Sequence, residues 1–175
     1  MTVFILPEEN HMTKSSCGIH PRHLMEQVIR PALKFLDMEG EAAEQLLLGT
    51  AIQESGCGLY LKQLRQGPAL GIFQMEPATH NDIWNNWLRW QIATRDKILG
   101  YLGRQEMPNA SRLVTDLFYA AIMCRLHYRR VANPLPAPDD PAAIAAFWKR
   151  HYNTPQGHGT TQAFENNWQR FLSVA

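Results

Sequence analysis

A single glutamate, Glu54, stands where an apolar helical pattern meets a glycine-rich stretch. Residues 51–58 read AIQESGCG, so two glycines follow the glutamate within four positions. The helix face that ends in Glu54 also carries Ala43, Leu47 and Ala51, at helical spacings. Because burial disfavours the ionised form of a carboxyl group, this position raises the expected pKa toward that of a general acid at neutral pH. A helix-end cap or an ion pair is the structural alternative for the same residue.

Two further motifs follow Glu54 in a fixed order. After ESG at 54–56 come ALGIFQMEPAT at 69–79 and YN at 152–153. This series resembles the soluble lytic transglycosylase domain, a relative of goose-type lysozyme, whose pattern is E-S, then G-L-M-Q-I-x-P-x-T, then Y-N. The resemblance covers roughly residues 41–168, and three ordered motifs are more specific than any one alone.

The resemblance implies a role for each residue that matches the family pattern. Glu54 would be the catalytic acid/base, and Tyr152 would point its hydroxyl toward that glutamate. Ser55 would lie at the site beside it. Gln74 would hydrogen-bond a saccharide, and Asn153 would shape the same wall.

Other positions of the pattern concern the loop between the motifs. Gly71 would let the backbone pass close to the sugar, as glycine does where a ligand approaches the main chain. Phe73 stands where the family usually has methionine, so the wall facing the sugar would be aromatic, with a core position as the alternative for Phe73. The family's glycine after Y-N-x is replaced by Pro155, and Gly157 and Gly159 follow further on.

The family cleaves the β-1,4 bond between N-acetylmuramic acid and N-acetylglucosamine in peptidoglycan and leaves a 1,6-anhydro end. Glycosidases normally need two carboxylates, whereas one suffices if the C6 hydroxyl of the sugar attacks its own C1. Glu54 is the one convincing candidate here. Glu76 and Asp82 could supply a second carboxylate, but both are expected to act at a helix start, where acids favourably meet the helix dipole.

Three alternative functions are weighed against the transglycosylase. A lysozyme-type hydrolase would cleave the same bond with water, and a virion structural protein would bind peptidoglycan without turnover. A metal-dependent wall amidase or peptidase is disfavoured because the chain has no HExxH motif and its seven histidines are scattered. We therefore expect no metal and no cofactor.

Composition limits the partners of the chain. Seventeen Lys+Arg against sixteen Asp+Glu give a net charge of +1, without the basic excess of a nucleic-acid-binding protein. The three cysteines are Cys17, Cys57 and Cys124, with no CxxC spacing, so they predict neither a disulfide framework nor a zinc site. The expected partner is the glycan strand of peptidoglycan.

The N-terminal sequence shows only four consecutive apolar residues before a proline, too few for a signal-peptide core, and no stretch resembles a membrane span. We therefore expect synthesis in the cytoplasm without a Sec signal and action in the periplasm or cell wall. Enzymes of the family that are this compact are typical of phages, prophages and secretion machines. Delivery by a phage virion is the favoured interpretation, on resemblance alone.

The elements that must position these residues are mostly helical. We expect residues 1–20 to form an N-terminal arm and residues 21–175 to form one mainly α, lysozyme-like domain of about seven helices. Residues 56–75 lack helical periodicity and predict a glycine-rich loop or small hairpin. Proline or glycine marks several helix limits, with Pro31 expected to kink or split the first helix, Gly40 to end it and Pro77 to start the third.

Overall fold

The computed structural model describes residues 18–153 and 157–172 of the chain. Within these ranges there are eight helices and no β-strand, which confirms the mainly α class. The helices are α1 (21–35), α2 (Glu41–Ser55), α3 (77–90), α4 (Ile92–Leu102), α5 (Arg112–Thr115), α6 (Leu117–Arg129), α7 (141–153) and α8 (Thr161–Leu172).

Three of these helices contain a wider, π-helical turn, at Met25–Ile29 in α1, Ile83–Trp87 in α3 and Lys149–Asn153 in α7. In α1 this turn directly precedes the pair Arg30 and Pro31, and the N–H of Arg30 bonds to a carbonyl five residues back. Proline cannot donate a backbone hydrogen bond, and here the helix widens beside it instead of breaking.

The helix limits predicted from proline and glycine are partly confirmed. Pro77 occupies the first position of α3, as expected. The expected stop at Gly40 is wrong, because α1 ends at Phe35 and Asp37 takes the left-handed conformation at φ 54°. Gly40, at φ 137°, instead precedes α2 as its N-cap.

A break that the sequence pattern did not predict separates α5 from α6. Asp116 is extended, at φ −134° and ψ 95°, and its carboxylate accepts a hydrogen bond from the N–H of Tyr119 at 2.9 Å. The same carboxylate pairs with Arg112 at 2.9 Å. An apolar period that runs through this point predicts one long helix, but the N-cap chemistry of aspartate starts a new one.

The core is built around α6, which packs against α1, α2, α3 and α7. Tyr119 to Leu126 and Tyr128 are all buried, including Arg125. None of the described helices combines the length and apolarity that a membrane span requires.

The loop predicted for residues 56–75 is present, with a turn of 3-10 helix at Leu64–Gln66. Isolated antiparallel bridges pair Lys62 with Leu70 and Leu70 with Met75. The loop is therefore folded back on itself without forming a regular hairpin strand.

The sequence predicts an N-terminal arm at residues 1–20, of which residues 1–17 lie outside the described part of the chain. The end that is described contacts the domain, since the N–H of Ile19 donates to the carbonyl oxygen of Cys57 at 2.8 Å.

Helix α2 lies very close to α8 at one glycine. A Cβ atom added at Gly49 would lie 2.4 Å from Cζ of Phe164 and 3.0 Å from Cζ3 of Trp168. Both aromatic side chains are almost fully buried. The absence of a side chain at Gly49 is therefore what allows the ring of Phe164 to lie against α2.

We predict that Gly49→Ala destabilises the protein by about 1–3 kcal/mol, the usual cost of overpacking a filled core. The matched control is Gly100→Ala in α4, where an added Cβ meets nothing within 4 Å. That change should stabilise the fold by about 0.5–1 kcal/mol, because alanine restricts the unfolded chain. Denaturant unfolding of both variants gives the comparison, and an equal or opposite ranking would contradict the close contact.

Candidate active site

Glu54 is the second-last residue of α2, and the helix ends directly behind it. Gly56 adopts the left-handed conformation at φ 59°, and its N–H bonds to the carbonyl oxygen of Ile52 at 3.0 Å. The N–H of Cys57 bonds to the carbonyl of Ala51 at 3.0 Å. Glycine adopts this conformation without a Cβ penalty, so the sequence ends the helix at the position predicted for it.

The side chain of Glu54 lines a cavity of about 800 Å³. Four side-chain amides share its walls, from Gln53, Gln63, Gln74 and Asn153, and no lysine or arginine lines it among the residues whose side chains the structure describes. Amides donate and accept hydrogen bonds without carrying charge. The walls therefore suit a neutral ligand rich in hydroxyl and amide groups better than a phosphorylated one.

The electrostatic state of Glu54 follows from two opposing effects. Burial raises the pKa of its carboxyl group from 4.5 to about 7, although a hydrogen bond from Trp148 acts in the opposite direction. The indole Nε1 of Trp148 donates to Oε1 of Glu54 at 2.8 Å. A carboxyl group with this pKa carries a proton in a substantial fraction of molecules at neutral pH and can both give and accept one. The raised pKa expected from the sequence is confirmed.

Trp148 was not identified from the sequence, although it makes the direct contact with the glutamate. It lies on α7, is 1% exposed, and its ring centroid lies 5.3 Å from that of Phe164. A buried tryptophan usually finds an acceptor for its N–H. That rule gives a reason to look for a partner, but the sequence alone does not show that the partner is 94 residues away.

Tyr152 lines the cavity, but its hydroxyl does not reach Glu54 as expected. It donates to the backbone carbonyl oxygen of Phe73 at 2.8 Å. A second tyrosine, Tyr60, also lines the cavity and donates to the backbone carbonyl of Glu54, not to the carboxylate, at 2.9 Å. The hydroxyl of Tyr152 is therefore engaged by the backbone of Phe73, and the hydrogen bond to the carboxylate comes from Trp148.

Gln74 and Asn153 lie in the cavity wall, where the resemblance put them. The amide of Gln74 donates to the carbonyl of Gly71 at 2.7 Å, which fixes its orientation. The side-chain oxygen of Asn153 accepts from Lys149 at 2.8 Å, and the same ammonium group donates to the carbonyl of Gly157 at 2.7 Å. Their contact with a saccharide stays a prediction.

Three other residues that the resemblance puts at the site, Ser55, Phe73 and Gly71, do not line the cavity. Ser55 is fully buried and donates to the carbonyl of Ile72 at 2.6 Å, so its hydroxyl fastens the loop to the end of α2 and does not line the cavity. Phe73 is 1% exposed and its ring belongs to the core, which supports the core alternative. Only its carbonyl faces Tyr152.

Gly71 allows the loop backbone to pack closely against the backbone of Leu113. It has φ 75°, and an added Cβ would lie 2.3 Å from the carbonyl oxygen of Leu113. Gly71 does not line the cavity of Glu54. The close backbone approach predicted at this position therefore exists, but its partner is Leu113 of α5, not a sugar.

The two alternative carboxylates differ in their position. Glu76 precedes Pro77 as N-cap of α3, makes no capping hydrogen bond through its side chain, and lines the same cavity as Glu54. Asp82 lies outside that cavity and inside α3, so the helix-start position expected for it is wrong. Its hydrogen bonds with Asn86 and Arg130 lower the pKa of its carboxyl group.

His127, one of the two histidines in the cavity wall, has a fixed tautomer. Nε2 of His127 lies 2.7 Å from the backbone carbonyl of His151, which can only accept, so this nitrogen carries the hydrogen. Burial lowers the pKa of His127. No group of three or more His, Cys, Asp or Glu side chains among residues 18–153 and 157–172 has the arrangement of a metal site.

Comparisons of the chain with protein-family models, with curated proteins and with solved structures give no match in any of the three. A function must therefore be argued from the residues of this site.

The raised pKa of Glu54 predicts a pH dependence of stability. Because the pKa in the folded protein is about 7 and the ordinary value is 4.5, the folded chain holds this proton more tightly than the unfolded chain. Tighter binding of this proton stabilises the folded state. This stabilisation is fully present below pH 4.5 and is lost as the pH rises to about 7.

Glu54→Gln removes this effect. As the pH rises from 4.5 to about 7, the free energy of unfolding of the variant should therefore increase by about 3 kcal/mol relative to that of the wild-type protein. Denaturant unfolding of both proteins across this range measures the difference. A constant difference would mean that Glu54 is not desolvated.

Proposed function

We propose that this protein is a peptidoglycan lytic transglycosylase that cleaves the bond between N-acetylmuramic acid and N-acetylglucosamine, with Glu54 as acid and base. The observation that carries the proposal is a desolvated carboxyl group with a pKa of about 7 that faces a cavity lined by neutral amides. A glycan strand offers hydroxyl and acetamido groups to such walls. The order of the three sequence motifs supports the same assignment.

The proposed reaction needs one carboxyl group. Protonated Glu54 gives its proton to the oxygen that links the two sugars, and the bond from that oxygen to C1 of the muramic acid breaks. The C6 hydroxyl of the same sugar forms a new bond to C1 and passes its proton to the Glu54 carboxylate. The products are a 1,6-anhydro end and a free 4-hydroxyl, and Glu54 is again protonated.

A hydrolase is the second candidate, because Glu76 shares the cavity with Glu54. A second carboxylate could activate water, at roughly 6.5–9.5 Å from the acid in inverting enzymes, or form a covalent intermediate at about 5–5.5 Å in retaining ones. Glu76 is exposed and free of capping bonds, which makes it available for either role. Asp82 is engaged by Arg130 and is a weaker candidate.

The setting of the reaction is also a proposal. Action at the cell wall after delivery by a phage virion, or by a secretion machine, fits an enzyme of this size and the resemblance of its motifs. A virion protein that binds peptidoglycan without cleaving it would use the same cavity, and loss of activity in a Glu54 variant separates the two.

We predict that Glu54→Gln reduces the lysis of purified sacculi by about 100- to 10,000-fold, since general acid-base catalysis contributes that much. The amide keeps the size of the side chain but cannot deliver a proton. The exposed Glu106 provides the control, and Glu106→Gln should lyse as wild type does. A Glu54→Gln protein that keeps more than a tenth of wild-type activity would refute the role of Glu54.

The chemistry of the product ends distinguishes the two candidate reactions. We expect digested sacculi, reduced with borohydride, to yield muropeptides that resist reduction and are lighter than hydrolysed ends by one water and the two added hydrogens. Mass spectrometry measures this directly. Mainly reducible ends would make the protein a hydrolase, and Glu76→Gln should then remove activity as well.

A further inference from the structure

The hydrogen bond between Trp148 and Glu54 makes the two carboxyl oxygens unequal as proton carriers. An indole N–H can donate but never accept. Oε1 of Glu54, 2.8 Å from Nε1, must therefore act as the acceptor whether the carboxyl group is protonated or ionised. A proton on Oε1 would make it a hydroxyl oxygen, which accepts a hydrogen bond less well than a carbonyl oxygen, so the proton is favoured on Oε2.

No other described side chain donates to this carboxyl group. The two nearby tyrosine hydroxyls, of Tyr60 and Tyr152, are engaged with the backbone carbonyls of Glu54 and Phe73. Among the groups that the structure describes, Oε1 of Glu54 accepts the bond from Trp148 and Oε2 of Glu54 accepts none. It is the oxygen left to exchange protons with a ligand in the cavity.

The indole is held in place from two sides. Its ring lies against the buried Phe164, and Gly159 approaches its far edge so closely that an added Cβ would lie 2.5 Å from Cη2. With Trp148 almost fully buried, the N–H has little freedom to turn away from Oε1. The donor is thus preorganised toward one oxygen.

We propose that Trp148 is the positioning residue of the site: its N–H reserves Oε1 of Glu54 as an acceptor, so that the proton is carried, given and taken back at Oε2. The placement of the proton rests on geometry alone, and its use in bond cleavage rests on the proposed function. The same hydrogen bond becomes charge-assisted, and therefore stronger, once the proton has left. Trp148 thereby favours proton donation without a rotation of the carboxyl group.

The sharpest test removes the hydrogen-bond donor and keeps the shape. In the full-length protein, Trp148 is replaced by 3-benzothienylalanine, in which sulfur takes the place of the indole N–H. The matched control puts the same analogue at Trp168, which is also buried and stacked with Phe164 but does not bond Glu54. Trp148→Phe is the genetically encoded variant that lacks the same donor.

The first readout is the pKa of Glu54, from NMR titration of ¹³C-labelled glutamate side chains, with the resonance assigned by its absence in Glu54→Gln. Loss of the donor at position 148 should raise this pKa by about one unit, a tenfold change in the acid constant. The Trp168 control should leave it unchanged. An unchanged or lowered pKa in the benzothienylalanine protein would overturn the proposal.

The second readout is activity, measured as separate kcat and KM values on soluble glycan fragments. Without the hydrogen bond that orients the Glu54 carboxyl group, kcat should fall by about tenfold. KM should stay within twofold of the wild-type value, since the glycan contacts remain. A raised KM with unchanged kcat would make Trp148 a wall residue only. If the wild-type protein cleaves no glycan, the proposed function fails, but the titration still tests the hydrogen bond by which Trp148 would position the proton.

Discussion

The close contact between α2 and α8 determines the surroundings of Glu54. At Gly49 the missing side chain lets the ring of Phe164 lie against α2. Trp148 packs against that ring in a tilted arrangement, and its indole then reaches the carboxyl group at the end of the same α2. One small residue near the middle of a buried helix thus brings three helices together at the right distance. A side chain there would separate α8 from α2 and shift the support on which Trp148 rests.

The protonation state of Glu54 depends on how few hydrogen bonds it receives. Burial removes water and raises the pKa, while each hydrogen bond to the ionised form lowers it. A carboxylate that accepts two or three such bonds becomes a strong acid, unsuited to donate at neutral pH. Two tyrosine hydroxyls lie close by, and both are directed to backbone carbonyl oxygens. The two tyrosines therefore fill the cavity walls without donating a hydrogen bond to the carboxylate, so they do not lower the pKa of Glu54.

The sequence predicts those features that depend on neighbours along the chain. The limits of α2, the stop at Gly56 and the start at Pro77 all follow from local periodicity, glycine and proline. The break at Asp116 was missed because an apolar period runs through it and only its capping bond reveals it. Trp148 and the partner of Gly71 were missed for another reason: both contacts join residues far apart in the sequence. The motif pattern located the cavity wall at Gln74 and Asn153, but it could not tell a side chain that faces the cavity from one that supports it, as at Ser55.

The π-helical turn at Lys149–Asn153 places the last two residues of α7 in the cavity wall beside Trp148. Such a turn contains one residue more than an α-helical turn. If the same residues formed a regular α-helix, each would advance by about 100° around the axis, further than in the wider turn. Tyr152 and Asn153 would then leave the wall, although neither had been replaced. A sequence that keeps every residue of the wall but favours a regular α-helix at this point would therefore lose this part of the cavity wall.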